Sequence, residues 1–129
     1  MKRNLRPIIV LAALGLIFGC AISASAQTDV IVGGYGTASN SDPDVIAAAK
    51  FAAKKQAKKQ GAKIKFISIA KAETQVVAGL NYRICMNVEI KEKGKKTYIP
   101  KLVQTVVYKD LKQKLSLTSW TLDACRPEM

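Results

Sequence analysis

The 129-residue sequence contains no histidine. That absence excludes Ser-His-Asp and Cys-His nucleophilic machinery, histidine acid–base catalysis and the usual zinc sites. It has no CxxC pair and no GxxxxGK loop, which argues against a redox dithiol, a zinc ribbon or a P-loop nucleotidase. Acids are few, 9 Asp+Glu against 21 Lys+Arg, for a formal net charge of +12. Glu73, Glu89, Glu92 and Asp110 show no paired spacing suited to general acid–base work. Aromatics are also scarce at 6%, and no basic-aromatic motif for specific nucleic-acid recognition is present. What is abundant is apolar: 49% of residues are hydrophobic, enough for one folded domain. The composition points to a binding protein rather than an enzyme, with no cofactor and no metal site expected.

Residues 1–26 read as a secretory signal peptide. Lys2, Arg3 and Arg6 form a positive start, residues 8–19 an apolar run, and Ala24-Ser25-Ala26 a small-x-small cleavage site. The run is short of the roughly 20 residues a spanning helix needs. A minor alternative is lipidation at Cys20, because Ile17-Phe18-Gly19-Cys20 loosely resembles a bacterial lipobox. Cleavage would leave 18 Lys+Arg and 9 Asp+Glu, a net charge of +9. The leader looks bacterial, and the mature protein is expected to be secreted or periplasmic. Cys85 and Cys125 would remain, an even count in an oxidising compartment, so a disulfide between them is expected.

Residues 27–40 form a Gly/Ser/Thr-rich lead, with Val30-Ile31-Val32 before Gly33, Gly34 and Gly36. It reads as a flexible arm or a short edge strand. Residues 41–129 are expected to be the folded domain. Ser41-Asp42-Pro43-Asp44 is a helix start, and the helix should run to about Gln60 and stop at Gly61. Val45, Ile46, Ala49, Ala52, Ala53 and Ala57 fall on one face and lysines on the other; Phe51 lies off the apolar stripe. A contact face made mainly of alanine implies close approach to a sheet.

The period then changes to two. Lys63–Ala72 reads as a strand, interrupted at Gln75–Gly79. Leu80 to Ile90 alternates strictly with Asn81 to Lys91, the clearest strand signal in the chain. Lys91–Lys96 is a charged loop, Lys101–Tyr108 a third strand, Asp110–Gln113 a turn and Lys114–Leu122 a fourth strand. Short connections predict antiparallel pairing. The expected fold class is α+β, a single helix packed across a four- to five-stranded antiparallel sheet. In such a meander the strands bearing the two cysteines are separated by one strand, about 9–10 Å. The disulfide therefore requires Cys125 to fold back over the polar face on which Cys85 lies.

The stretch KIKFISIAKAETQVVAGLNYRI resembles the cystatin family of cysteine-protease inhibitors. Gln75-Val76-Val77-Ala78-Gly79 matches the family's QxVxG hairpin. Ala49-Lys50-Phe51-Ala52-Ala53 resembles the helix of plant-type cystatins, and Gly33-Gly34 sits near the family's N-terminal glycine. The resemblance implies a reversible inhibitor that blocks the cleft of papain-like proteases with three segments and no covalent step. The implied contact residues are Val32, Gly33, Gly34, Gln75, Val76, Val77, Ala78 and Gly79, with Asp110 and Leu111 at the second hairpin. That hairpin lacks the family's Pro-Trp, and Leu111 stands where tryptophan is expected, which implies weaker or shifted inhibition. The resemblance also allows a monomer or a dimer swapped through the QxVxG hairpin. The alternative function is a non-inhibitory cationic protein of the same fold, whose lysine-covered helix binds anionic envelope components.

Overall fold

The computed structural model describes residues 34–125. The expected leader, Cys20, Val30–Val32 and Gly33 lie outside the described residues. The chain forms β1 (Gly36–Ala38), α1 (Pro43–Gln60), β2 (Lys63–Val77), β3 (Gly79–Lys91), β4 (Ile99–Lys109) and β5 (Leu115–Leu122). The five strands make one antiparallel sheet in chain order, and α1 lies across one face.

The helix begins and ends where its sequence says. The Asp42 carboxylate accepts the Asp44 N–H at 2.8 Å and Pro43 opens the first turn. Gly61 closes it in the left-handed region, φ 64°, donating to the Ala57 carbonyl. Its buried stripe is Val45, Ala48, Ala49, Ala52, Ala53 and Gln56. That corrects the expected face: Ile46 and Ala57 are half-buried, and Ala48 and Gln56 take the inner positions. Seating the four alanines directly on the sheet turns the bulkier Ile46 to the flank. Phe51 packs at the edge of the core and lines a small recess with Lys54, Lys55 and Lys58. The sheet side of the core comes from Ala72, Tyr82, Ile84, Met86, Val88, Val103 and Val107. Full burial of each large side chain contributes about 1.5–3 kcal/mol. Trp120 packs against the same core from β5.

The arm expected over 27–40 is pinned at its end. Gly36, Thr37 and Ala38 pair with Thr74, Glu73 and Ala72 as a short edge strand. The strand expected to stop at Ala72 instead continues through Val77, so Gln75–Val77 extends a strand rather than interrupting one. β2 reaches this length by accommodating two register shifts, between Phe66 and Ser68 and between Ile69 and Lys71.

Cys85 and Cys125 form a disulfide, with a Cα–Cα distance of 5.7 Å. Cys85 alternates with the buried Ile84 and Met86 and so lies on the sheet face away from the helix. The tail reaches it by turning at Asp123, φ 56°, whose N–H donates to the Leu102 carbonyl at 2.9 Å. The chain thus steps back across β4 over the open face, as the parity of Cys85 requires. Bridging residues 40 apart removes about 2–4 kcal/mol of chain freedom from the unfolded state. The double substitution Cys85→Ser/Cys125→Ser is expected to lower urea-unfolding stability by that amount, followed by Trp120 fluorescence. An unchanged midpoint would contradict this role.

Candidate functional site

Register brings three separated segments to one edge of the sheet. Val77 pairs with Gly79, so the β2–β3 turn consists of Ala78 alone. Leu80 pairs with Lys109, which places the β4–β5 turn beside it. Gly36 pairs with Thr74, so the chain before β1 enters at the same edge. The exposed apolar tips of this edge are Val76, 63% exposed, and Leu111, 76% exposed. Val77 is half-buried and Ala78 is exposed.

The two turns are held against each other. Tyr108 Oη donates to the Ala78 carbonyl. Gly79 adopts φ 115°, and a Cβ there would lie 2.3 Å from the Lys109 carbonyl oxygen and 3.1 Å from the Tyr108 ring. Glycine is therefore required twice, for its backbone angle and for the close approach of β4. Gln75 Oε1 accepts the Asn81 Nδ2–H at 3.0 Å across the hairpin. The motif glutamine thus stiffens the strands behind the tip.

The second turn is built by its acid. Asp110 Oδ1 accepts the N–H groups of Lys112 and Lys114, each at 2.9 Å. Gln113 takes the left-handed position, φ 70°, that closes a three-residue hairpin loop. Asp110 therefore shapes the loop, and Leu111 is what the loop presents. Lys109 Nζ lies 3.6 Å from Asp44 Oδ2, linking this hairpin to the first turn of α1.

On the open face the arm is anchored by charge. The Arg83 guanidinium lies 3.9 Å over the Tyr35 ring and 2.6 Å from Glu73 Oε2. Lys71 Nζ lies 3.4 Å from Glu73 Oε1. The hydrogen bond from Arg83 holds the Glu73 carboxyl below its ordinary value, aided by the positive charges of Arg83 and Lys71 and opposed by burial. A lowered carboxylate stabilises above its unfolded pKa and loses that contribution as pH falls through its folded one. The anchor is therefore intact throughout neutral and mildly acidic solution.

Of the residues expected at the site, Gln75, Val76, Val77, Ala78, Gly79, Asp110 and Leu111 share this edge. Gly34 is exposed at the start of the described chain, while Val32 and Gly33 precede it. Asn81, Arg83 and Tyr35 escaped sequence reading. Only register reveals them, because each acts across strands. Among the described residues no group of three or more His, Cys, Asp or Glu side chains gathers to hold a metal. Among the described residues, this edge presents exposed apolar tips rather than a nucleophile paired with a base.

The sequence profile of the family SQAPI, described as aspartic acid proteinase inhibitor, matches residues 38–122. The curated protein "Cysteine proteinase inhibitor 5" of Arabidopsis thaliana is 33% identical over 78 residues. That match spans 60% of this chain and 61% of the relative's length. The crystal structure of a salivary cystatin from the soft tick Ornithodoros moubata superposes with a TM-score of 0.56 at 22% identity. It covers 70% of this chain and 97% of the tick protein, so the two share the fold.

Gly79→Ala is expected to cost more than about 2 kcal/mol in urea unfolding, because the new methyl meets backbone rather than a movable side chain. A loss below about 0.5 kcal/mol would mean that the two turns are not in contact.

Proposed function

This chain belongs to the SQAPI family, described as aspartic acid proteinase inhibitor; taking protease inhibition from the family and the target from the QVVAG turn, we propose that it inhibits a papain-like cysteine protease by reversible occupation of the active-site cleft. Its relatives are protease inhibitors rather than enzymes. The observation that carries the choice of target is the QVVAG turn. It presents Val76 on a narrow tip whose backbone is already fixed by Gly79 and Tyr108. The relative named as a cysteine proteinase inhibitor supports the same choice.

In this reading Val76 and Leu111 enter the cleft. Ala78 is small enough to let the turn approach closely, and half-buried Val77 supports it from the flank. Gln75, Gly79 and Asp110 keep the turns in shape. Val32, Gly33 and Gly34 are assigned to protease contact from the sequence, and Gly34, next to the Tyr35 anchor, is the one among the described residues. Because the hairpins are ordered before contact, docking costs little conformational entropy. Residues 1–26 act as the export leader, and the Cys85–Cys125 bridge suits an oxidising destination.

A second reading, inhibition of an aspartic proteinase, is favoured by the family's description and by Leu111 in place of a tryptophan. Titration of papain and of pepsin with residues 27–129 separates the two. Papain is expected to be inhibited in a dose-dependent way. Val76→Asp should weaken inhibition by about 30-fold or more, and Leu111→Trp should tighten it. With no histidine in the chain, the inhibitor's own contribution should stay nearly level between pH 5 and 7. Inhibition of pepsin alone would transfer the target to aspartic proteinases, and inhibition of neither would overturn the proposal.

A further inference from the structure

Charge is segregated along this molecule. At the edge carrying Val76 and Leu111, residues 34–44, 73–83 and 108–115 hold four acids and four bases. At the opposite end, residues 58–65 and 89–101 hold nine lysines and two acids, Glu89 and Glu92. The pairings Lys63 with Lys91 and Ile90 with Ile99 bring the start of β2, the end of β3 and the start of β4 to that pole. The last turn of α1, with Lys58 and Lys59, ends there too. All residues of the 92–97 loop are exposed. Tyr98 fixes the base of the loop, with the Lys65 and Lys91 ammonium groups 4.0 and 5.2 Å from its ring centroid.

The same pole exposes apolar surface. Ile99 is 53% exposed and Leu122 45% exposed. Together with Lys93 and Lys101 they line an open recess of about 390 Å³ beyond the end of α1. Exposed Ile67 borders a neighbouring recess that Lys101 shares.

We propose that this pole docks on an anionic lipid surface. Crowding lysines at one end raises self-repulsion, which a negatively charged surface relieves. Solubility alone would be served equally by spreading them. Exposed isoleucine and leucine beside Lys93 and Lys101, with Glu92 the one acid in the lining, match the interface of a bilayer, where apolar groups enter the headgroup layer and cations meet lipid charge. A soluble polyanion would make no use of the apolar pair. No helix among the described residues is long and apolar enough to cross a membrane. Asp44 at the start of α1 meets the second hairpin, and the helix ends at the lysine pole. A docked molecule therefore turns its hairpin edge toward solvent. The proposal does not depend on which protease the edge binds.

The test is flotation of residues 27–129, which contain every described residue and omit the apolar leader. The vesicles are of phosphatidylcholine alone or mixed with phosphatidylserine, at physiological salt, with heparin binding measured in parallel. Partition is expected only into the mixed vesicles. Lys93→Glu/Lys95→Glu/Lys96→Glu should reduce it at least tenfold, since one lysine near an anionic surface contributes about fivefold. Ile99→Ser/Leu122→Ser keeps every charge and should reduce partition severalfold with heparin binding unchanged. Both sets lie at exposed positions, and thermal unfolding by circular dichroism verifies the fold. Absence of partition, or partition indifferent to the loop charges, would overturn the proposal. Partition indifferent to Ile99 and Leu122 would overturn it in favour of a general polyanion site.

Discussion

The hairpin edge depends on one close approach: the backbone of Gly79 against the carbonyl of Lys109, with the Tyr108 hydroxyl bonded across to Ala78. That contact joins the β2–β3 turn to the end of β4. Since β4 leads directly into the turn bearing Leu111, it fixes the spacing between the two apolar tips. A narrow turn carrying an exposed valine would otherwise be mobile and would bind poorly, because ordering it would consume the energy of contact. Asp110 gives the second turn its shape from within, and Lys109 ties it to the first turn of the helix. The edge is stiff although its tips are exposed.

The rest of the fold serves this edge from behind. Four small alanines let α1 lie close to the sheet. On the other face the tail steps over β4 to bond Cys85, covering part of a surface that the helix does not protect. The Tyr35–Arg83–Glu73 group uses the same face to hold the incoming arm. The two poles then divide the work: one is charge-balanced with apolar tips, the other is densely cationic. Neither pole shares its exposed residues with the other.

Much of this was legible in the sequence, for identifiable reasons. The helix limits followed from Asp42, Pro43 and Gly61, whose backbone chemistry is local. β3 followed from strict alternation, because one of its faces is buried from Tyr82 to Ile90. The return of the tail over the open face followed from the parity of Cys85 alone. The misread features were those set by neighbours. The helix seats Ala48 instead of Ile46, since the sheet beneath it takes small side chains along this stripe. Gln75–Val77 read as an interruption because the motif has little alternation, yet β3 supplies it with a complete set of pairing partners. The pinned strand fell at Gly36–Ala38, where β2 offers an unpaired edge, and no local signal marked those residues. Asn81, Arg83 and Tyr35 were invisible for the same reason: their partners lie across strands.

The account's central claim is that the two turns act as one preformed unit. Tyr108→Phe tests it most directly, removing only the hydroxyl that bonds to Ala78 and leaving the ring beside Gly79. The measurement is the inhibition constant against papain, set beside thermal unfolding. The account expects inhibition about three- to tenfold weaker as the turn loses its preformed shape, with the unfolding temperature lowered by only a few degrees. Unchanged inhibition by a stably folded variant would contradict it.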